Sequence, residues 1–342
     1  MKIIVDCLGG DNSPAANVGG ALKALARYGD LQVILVGDEG PVKELIPDDP
    51  ALKDRIETVH APGVITGEDK PTDAIRLKKD SSLIASIRLL RERDDVSALI
   101  STGATGALVA AAILRIGRIR GVRRPAFCPV LPTMNGDTVA ICDSGADTDV
   151  ALEQLVQYAV MGSLYISEVF GKKSPRVALL NIGTESEKGD DLRRRAYPLL
   201  SSTPGINFVG NMESRDLLSG KYDLVVCDGF SGNVLVKTTE GTALELLRKL
   251  KKDIYSKFRY KLGALLMKDM FEREKEFMNY QNYGGSVLLG AEKIIVKGHG
   301  SSDADAVAKC FEQAVTMEKN DMNGKIADAL RAAEGQGDNG NV

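Results

Sequence analysis

Five cysteines are scattered along 342 residues, at Cys7, Cys128, Cys142, Cys227 and Cys310, with no Cys-x-x-Cys pair and an odd total. That spacing argues against a disulfide framework or a thiolate zinc centre, and the apolar runs around most of them mark small core residues. No apolar stretch approaches the roughly 20 residues that a membrane-spanning helix requires. No charged-then-apolar leader precedes the strand-like Lys2–Asp6, so a cytoplasmic location is expected. Lys and Arg number 44 against 47 Asp and Glu, a net charge of -3, so no global basic excess points to nucleic acid. The dinucleotide fingerprint Gly-x-Gly-x-x-Gly is missing, as are internal repeats and clustered aspartates for a divalent metal. A decarboxylating dehydrogenase is therefore disfavoured, and neither cofactor nor metal is expected.

What is abundant is glycine, 35 residues gathered in short turns. Between those turns, β-branched runs read as strands at Lys2–Asp6, Leu31–Val36, Ile56–Ala61, Val96–Ser101, Arg176–Asn181, Asn207–Gly210, Tyr222–Cys227 and Lys293–Lys297. Helical stretches alternate with them. Ser13-Pro14 reads as an N-cap with proline at the first helical position, followed by a helix over Ala15–Tyr28. Thr105–Gly117 and Ala151–Glu168 read as long apolar helices. Such alternation predicts an α/β fold, a three-layer, mostly parallel sheet covered on both faces. Asn135-Gly136, between Ala126–Pro132 and Thr138–Cys142, signals an antiparallel hairpin protruding from that sheet, a common dimer-forming device. A single domain is expected over 1–333, with a helical excursion at about 249–280 and a flexible Gly/Asp/Asn-rich tail at 334–342.

The candidate chemistry lies in turns that close a strand and open a helix. Asp6-Cys7-Leu8-Gly9-Gly10-Asp11 leaves backbone amides free to meet an anion, though it also fits a tight turn with acidic caps. Ser101-Thr102-Gly103-Ala104-Thr105-Gly106-Ala107 offers hydroxyls and bare amides to a phosphate or a carbonyl oxygen. Arg76 and Lys78-Lys79 precede Ser81-Ser82, which can cap a helix over Leu83–Arg93 or bind an oxyanion with the cations. Asp228-Gly229-Phe230-Ser231-Gly232-Asn233, followed by Lys237, and Gly183-Thr184-Glu185 repeat the arrangement. His299 sits between Gly298 and Gly300 directly after the last strand, where a core role is unlike it, whereas His60 on an apolar strand reads as structural. In an open parallel sheet, ligands bind outside the carboxyl ends of the strands, so turns this rich in glycine and hydroxyls imply an anionic ligand wrapped by backbone.

Taken in order, these segments resemble the bacterial phosphate acyltransferase family, the acyl-ACP:phosphate transacylases. The likeness runs from Lys2 to about Ala308 and includes Asp6–Asp11, Arg76 with Ser81-Ser82, Gly103–Ala107, Arg124-Pro125-Ala126, Leu155–Ser163, Asn181-Ile182-Gly183, Asp228–Lys237, Tyr283-Gly284-Gly285 and His299-Gly300. It implies an architecture like that of phosphate acetyltransferases and isopropylmalate dehydrogenases. It also implies a homodimer and a reaction in which a long-chain acyl group passes from acyl carrier protein (ACP) to inorganic phosphate, giving acyl phosphate for phospholipid synthesis. Two positions depart from the family pattern: Ala104 and Asp147 each stand where Asn is usual. Losing one oxyanion donor can lower turnover about 100- to 1,000-fold, so a catalytically weakened scaffold of lipid synthesis remains an alternative. A phosphate acetyltransferase using acyl-CoA is another.

On this resemblance, Arg76, Ser81 and Ser82 are expected to hold phosphate with the Gly9-Gly10 turn and Asp11. Thr105 and the Gly103 backbone would face the thioester carbonyl. Asn233 and Lys237, following Asp228, would orient the acyl phosphate, with His299 as proton donor or hydrogen-bond partner. Cys7 is a nucleophile to exclude. The expected partner ACP is acidic, and Arg115–Arg124 offers five arginines in ten residues, with a second cluster at Arg193-Arg194-Arg195. The Lys249–Phe271 stretch mixes apolar residues with lysines. Peripheral contact with the membrane, a dimer contact and a lid over the acyl chain are all open to it.

Overall fold

The computed structural model describes residues 1–277 and 283–337. Its strands, in chain order, are β1 (Lys2–Asp6), β2 (Gln32–Gly37), β3 (Ile56–His60), β4 (Ala98–Ser101), β5 (Ala126–Cys128) and β6 (Val130–Pro132). They continue with β7 (Thr138–Cys142), β8 (Arg176–Asn181), β9 (Asn207–Glu213), β10 (Leu224–Val226), β11 (Ser286–Leu289) and β12 (Ile294–Lys297). Pairing divides them into two sheets, of order β3-β2-β1-β4-β12-β11-β5 and β6-β7-β10-β8-β9. The first is parallel from β3 to β12, then antiparallel through β11 and β5. The second is parallel apart from the β6–β7 hairpin at its edge. The fold is thus α/β with mostly parallel sheets, as the alternation implied.

The strands are apolar on both faces because helices cover both. In β1, Ile3 and Val5 enter one core cluster and Ile4 another, each fully buried, which is the period-2 alternation of a strand with two dry sides. The cluster containing Ile3 and Val5 also takes in Leu179 and Val226 of the second sheet and Tyr158, Met161 and Tyr165 of the Leu152–Phe170 helix between them. One contiguous core therefore runs through both sheets.

Several boundaries differ from expectation for local reasons. The helix after β1 spans Ala15–Arg27, but Ser13 does not cap it; its hydroxyl donates to the Gly9 carbonyl. Thr105–Ala111 is helical and passes into a wider π-turn at Ala112–Ile116. The hairpin at Asn135-Gly136 forms, yet β7 pairs onward with β10, so it is the rim of the second sheet rather than an arm standing off it. The helical excursion begins at Gly229, well before Lys249, and runs as Gly229–Ser256, Phe258–Leu266 and Lys268–Phe277. The last helix, Met322–Gly337, enters the segment expected to be a flexible tail, of which residues 338–342 lie outside the described residues. Strand β11 was not anticipated. Among the described residues no helix is long and apolar enough to cross a membrane.

Candidate active site

The turns after β1, β4 and β12 meet at the carboxyl ends of their strands. Asp6 ends β1 with its carboxylate buried, where the Ser82 and Ser101 hydroxyls donate to it at 2.5 and 2.7 Å. Burial, the largest influence, pushes this carboxyl above the usual range even against those bonds. Gly9 lies against the backbone of Gly103 so closely that a Cβ would collide with the Gly103 Cα, and Gly10 takes φ +102°, so each position requires glycine. Asn17 ties the arrangement down by donating to the Asp6 carbonyl at 2.6 Å and to the Thr102 hydroxyl at 3.1 Å. The Asp11 N–H donates to the Gly300 carbonyl at 2.7 Å, joining the first turn to the His299 loop.

Against these turns lies the start of the Gly229–Ser256 helix. Asp228 caps it, accepting the Ser231 N–H and hydroxyl at 2.8 Å each, and is paired with Arg193 at 2.6 Å. A Cβ on Gly229 would come within 2.5 Å of the Asp143 carboxylate. That carboxylate is fully buried and gathers the N–H groups of Phe127, Ser144, Gly145, Ala146 and Asp147 at 2.6 to 3.2 Å. Burial pushes its pKa up to about 6 in spite of those bonds. The result fixes the 144–147 loop beside Asn233, whose side chain donates to the Ser144 carbonyl at 3.2 Å.

Between the two sheets these pieces leave a cleft of about 120 Å³. Thr105, Asn233, Lys237 and His299 all line it, together with Ser144, Glu240 and Lys297. Lys237 is more than half exposed and pairs with Glu240 at 3.3 Å. The His299 Nδ1 lies 2.8 Å from the Ser301 hydroxyl and accepts the Ser301 N–H at 3.2 Å, which leaves the ring proton on Nε2. Burial, reinforced by Lys237, holds this imidazole below its ordinary value, so at neutral pH it is an uncharged hydrogen-bond donor. Lys297, at the carboxyl end of β12, is buried.

The four residues expected to be catalytic thus converge, and Gly9, Gly10, Asp11 and Gly103 lie in the adjoining turns. The rest of the expected phosphate site does not join them. Ser81 is fully buried as the N-cap of the Ser82–Glu92 helix, accepting the Ile84 N–H at 3.3 Å, and Ser82 is committed to Asp6. Arg76 is largely exposed on the Pro71–Leu77 helix, 3.8 Å from Asp73, and does not line the cleft. Asp228 is spent on its cap and on Arg193, so neither is free for a ligand, and the triple-arginine cluster loses its first member to the interior. Gly183-Thr184-Glu185 also lies apart from the cleft lining. Cys7 is fully buried, with its thiol pushed far up by burial, and is a core residue rather than a nucleophile.

The two departures from the family pattern have structural counterparts. Asp147 accepts from Gln154 Nε2 at 2.9 Å and lies 3.5 Å from Arg124, so its charge is compensated away from the cleft. Ala104 packs half-buried against an apolar cluster that also includes Ala146. Lys297 is the cleft residue that sequence reasoning missed; its signal is a lone lysine ending the apolar Ile294–Val296 run, directly before Gly298-His299.

Comparison with known proteins fits this geometry. Residues 1–325 match the family described as fatty acid synthesis protein. A phosphate acyltransferase of an Exiguobacterium species is 44% identical over 328 residues, covering 95% of this chain and 98% of that protein. The phosphate acyltransferase of Bacillus subtilis is 41% identical over 331 residues, covering 97% and 98%. Among solved structures, a branched-chain phosphotransacylase from Enterococcus faecalis superposes with a TM-score of 0.58 at 14% identity, covering 92% of this chain and 98% of that one. A phosphotransacetylase from Streptococcus pyogenes gives 0.56 at 15%, covering 93% and 94%. At such identities these structures speak for the fold alone.

Proposed function

The chain belongs to the phosphate acyltransferase family of fatty acid synthesis proteins, and from that premise we propose that it transfers a long-chain acyl group from ACP to inorganic phosphate. The observation that carries the reading is the convergence of Thr105, Asn233, Lys237, Lys297 and His299 on one cleft at the carboxyl ends of β4 and β12. Phosphate is anionic at neutral pH and needs little general-base help. A phosphate oxygen attacks the thioester carbon, the new C–O bond forms, the C–S bond breaks, and ACP leaves as a thiolate that water or buffer protonates. The thiolate is a tolerable leaving group, since a free thiol has a pKa near ~8.5.

The enzyme's task is to bring an anion to a carbonyl that itself becomes an oxyanion. Thr105 and the Gly103 backbone face that carbonyl, the uncharged His299 donates through Nε2, and Asn233 with Lys237 orients the product. No acyl-enzyme is needed. The acidic carrier docks on the exposed Arg118, Arg120, Arg123 and Arg124, which border the turn between β11 and β12 of the first sheet. The acyl chain leads outward toward the helical excursion, whose Phe258, Leu265 and Leu266 are 82%, 67% and 83% exposed. That surface serves a dimer partner or the membrane face. Flotation with liposomes tests the latter: Leu265→Glu should float less than wild type, and equal flotation refutes direct contact.

The decisive assay incubates the protein with palmitoyl-ACP and phosphate and follows free ACP thiol and acyl phosphate together. Phosphate-dependent release of both is expected. A strong preference for short acyl-CoA would move the donor assignment to CoA, and silence in both directions at several chain lengths would leave a scaffold.

A further inference from the structure

Lys297 is placed by the sheet and not by a flexible loop. It ends β12 between β4 and β11, registered with Ser101 on one side and Ser286 on the other. Its side chain is only 9% exposed, yet it lines the cleft. Its ammonium donates to the Thr102 carbonyl at 3.5 Å and to the Gly298 carbonyl. Among the described residues no carboxylate comes within ion-pairing distance of it.

A buried ammonium held only by carbonyl dipoles is costly, and folds retain one where an opposite charge arrives from elsewhere. None of the groups that face Lys297 pairs with it, and Asp6 and Asp11 act on it only from beyond ion-pairing distance. Asp6, from β1, is engaged by two hydroxyls and driven toward its neutral form. Asp11 lies in an exposed turn. The Cys310 thiol, on the Ala304–Lys319 helix, is buried and pushed up to about 12, hence uncharged. From the Gly229–Ser256 helix come Lys237, a further positive charge, and Glu240, which pairs with it. His299 is neutral. The cleft at Lys297 is left with a deficit of negative charge.

We propose that Lys297 holds the acceptor anion: its ammonium pairs with inorganic phosphate in the cleft and, after transfer, with the phosphoryl group of the product. The assignment rests on the acyl-transfer reading of the cleft and deepens it, giving the central phosphate contact to Lys297 in place of Arg76, Ser81 and Ser82. Before phosphate arrives, burial lowers the Lys297 pKa to about 8, with Lys237 acting in the same direction. An arriving dianion reverses that shift. Phosphate binding is therefore coupled to proton uptake on the alkaline side of neutrality, where phosphate itself is already fully dianionic.

The test compares wild type with Lys297→Met and Lys297→Arg, varying inorganic phosphate at saturating acyl donor and then the reverse. Truncating one member of a buried charge pair predicts that Lys297→Met raises the phosphate KM about 30-fold or more, while the acyl-donor KM stays within about twofold. Lys297→Arg should recover part of the loss. Calorimetry of inorganic phosphate binding to wild type, at about pH 8.5 in buffers of different ionisation heat, should show net proton uptake. A folded Lys297→Met with an unchanged phosphate KM overturns the assignment. Should that variant fail to fold, phosphate binding to wild type without proton uptake overturns it equally. Wild type that releases no acyl group in response to phosphate sinks the acyl-transfer reading itself, and this assignment with it.

Discussion

Lys297→Met also makes a prediction about the unliganded protein that needs no substrate. The folded-state pKa of about 8 lies below the ordinary lysine value of 10.5, with burial as the main cause. Between those two values the unfolded chain binds more protons than the folded one, so wild-type stability rises with pH across this window. The difference between the two values corresponds to about 3 kcal/mol in total, at a slope of roughly 1.4 kcal/mol for each step of one in pH. Methionine keeps the stem and removes the charge, so its stability lacks that slope. The other titrating groups are common to both proteins and cancel in the difference. Urea denaturation of the two proteins at steps from about pH 7 to 10.5 should therefore show their stability gap shifting in favour of wild type by about 3 kcal/mol. Saturating phosphate should flatten the wild-type slope, because the bound dianion keeps Lys297 charged. Parallel pH profiles without phosphate would mean an ordinary pKa for Lys297, hence a solvated or already paired ammonium, and the charge-deficit argument would fail.

Three further outcomes are expected. Arg193→Met leaves Asp228 without its cation at a buried helix cap and should cost about 2 kcal/mol, read by urea denaturation; an unchanged midpoint would mean that the Ser231 bonds suffice. Cys7→Ser should keep acyl transfer within about threefold while losing about 1–2 kcal/mol of stability, and abolished turnover in a folded protein would restore Cys7 as a nucleophile. Arg76→Ala should leave the phosphate KM within about twofold, because Arg76 is exposed and outside the cleft; a large rise would show that the Pro71–Leu77 helix closes over the ligand.

Glycine and hydroxyl residues at strand ends made the location of the cleft legible, since only bare backbone permits the contact between Gly9 and Gly103. What the sequence left ambiguous was the direction of each side chain. Ser81 and Ser82 look alike as anion ligands and as helix caps; Ser81 caps the helix, and Ser82 instead satisfies the buried Asp6 carboxylate. Asp228 carried a cap signal in its spacing to Ser231, and its partner Arg193 was hidden inside a run that resembles a solvated cluster. The turn at Asp228–Asn233 reads as opening a helix and the helical excursion reads separately from about 249, because Gly229 and Gly232 also resemble a loop. They are glycines because Asp143 and its carbonyl approach the helix too closely for a Cβ. The four-residue β11 was too short for its alternation to register.

Lys297 escaped for the opposite reason: a lysine at the end of an apolar strand normally reaches solvent, and its sequence shows nothing else. Its meaning arises only when β4 and β11 enclose it and, among the described residues, no carboxylate lies within ion-pairing distance. An anion-binding role for such a residue is thus a property of the charge balance around it, which no local pattern records. The same balance accounts for Asp147, where an apparent loss of a hydrogen-bond donor is absorbed by Arg124 and Gln154. If that compensation is complete, Asp147 and the wild-type cleft coexist without loss of turnover, and the departure from the family pattern is a change in how the 144–147 loop is tethered rather than in the chemistry beside it.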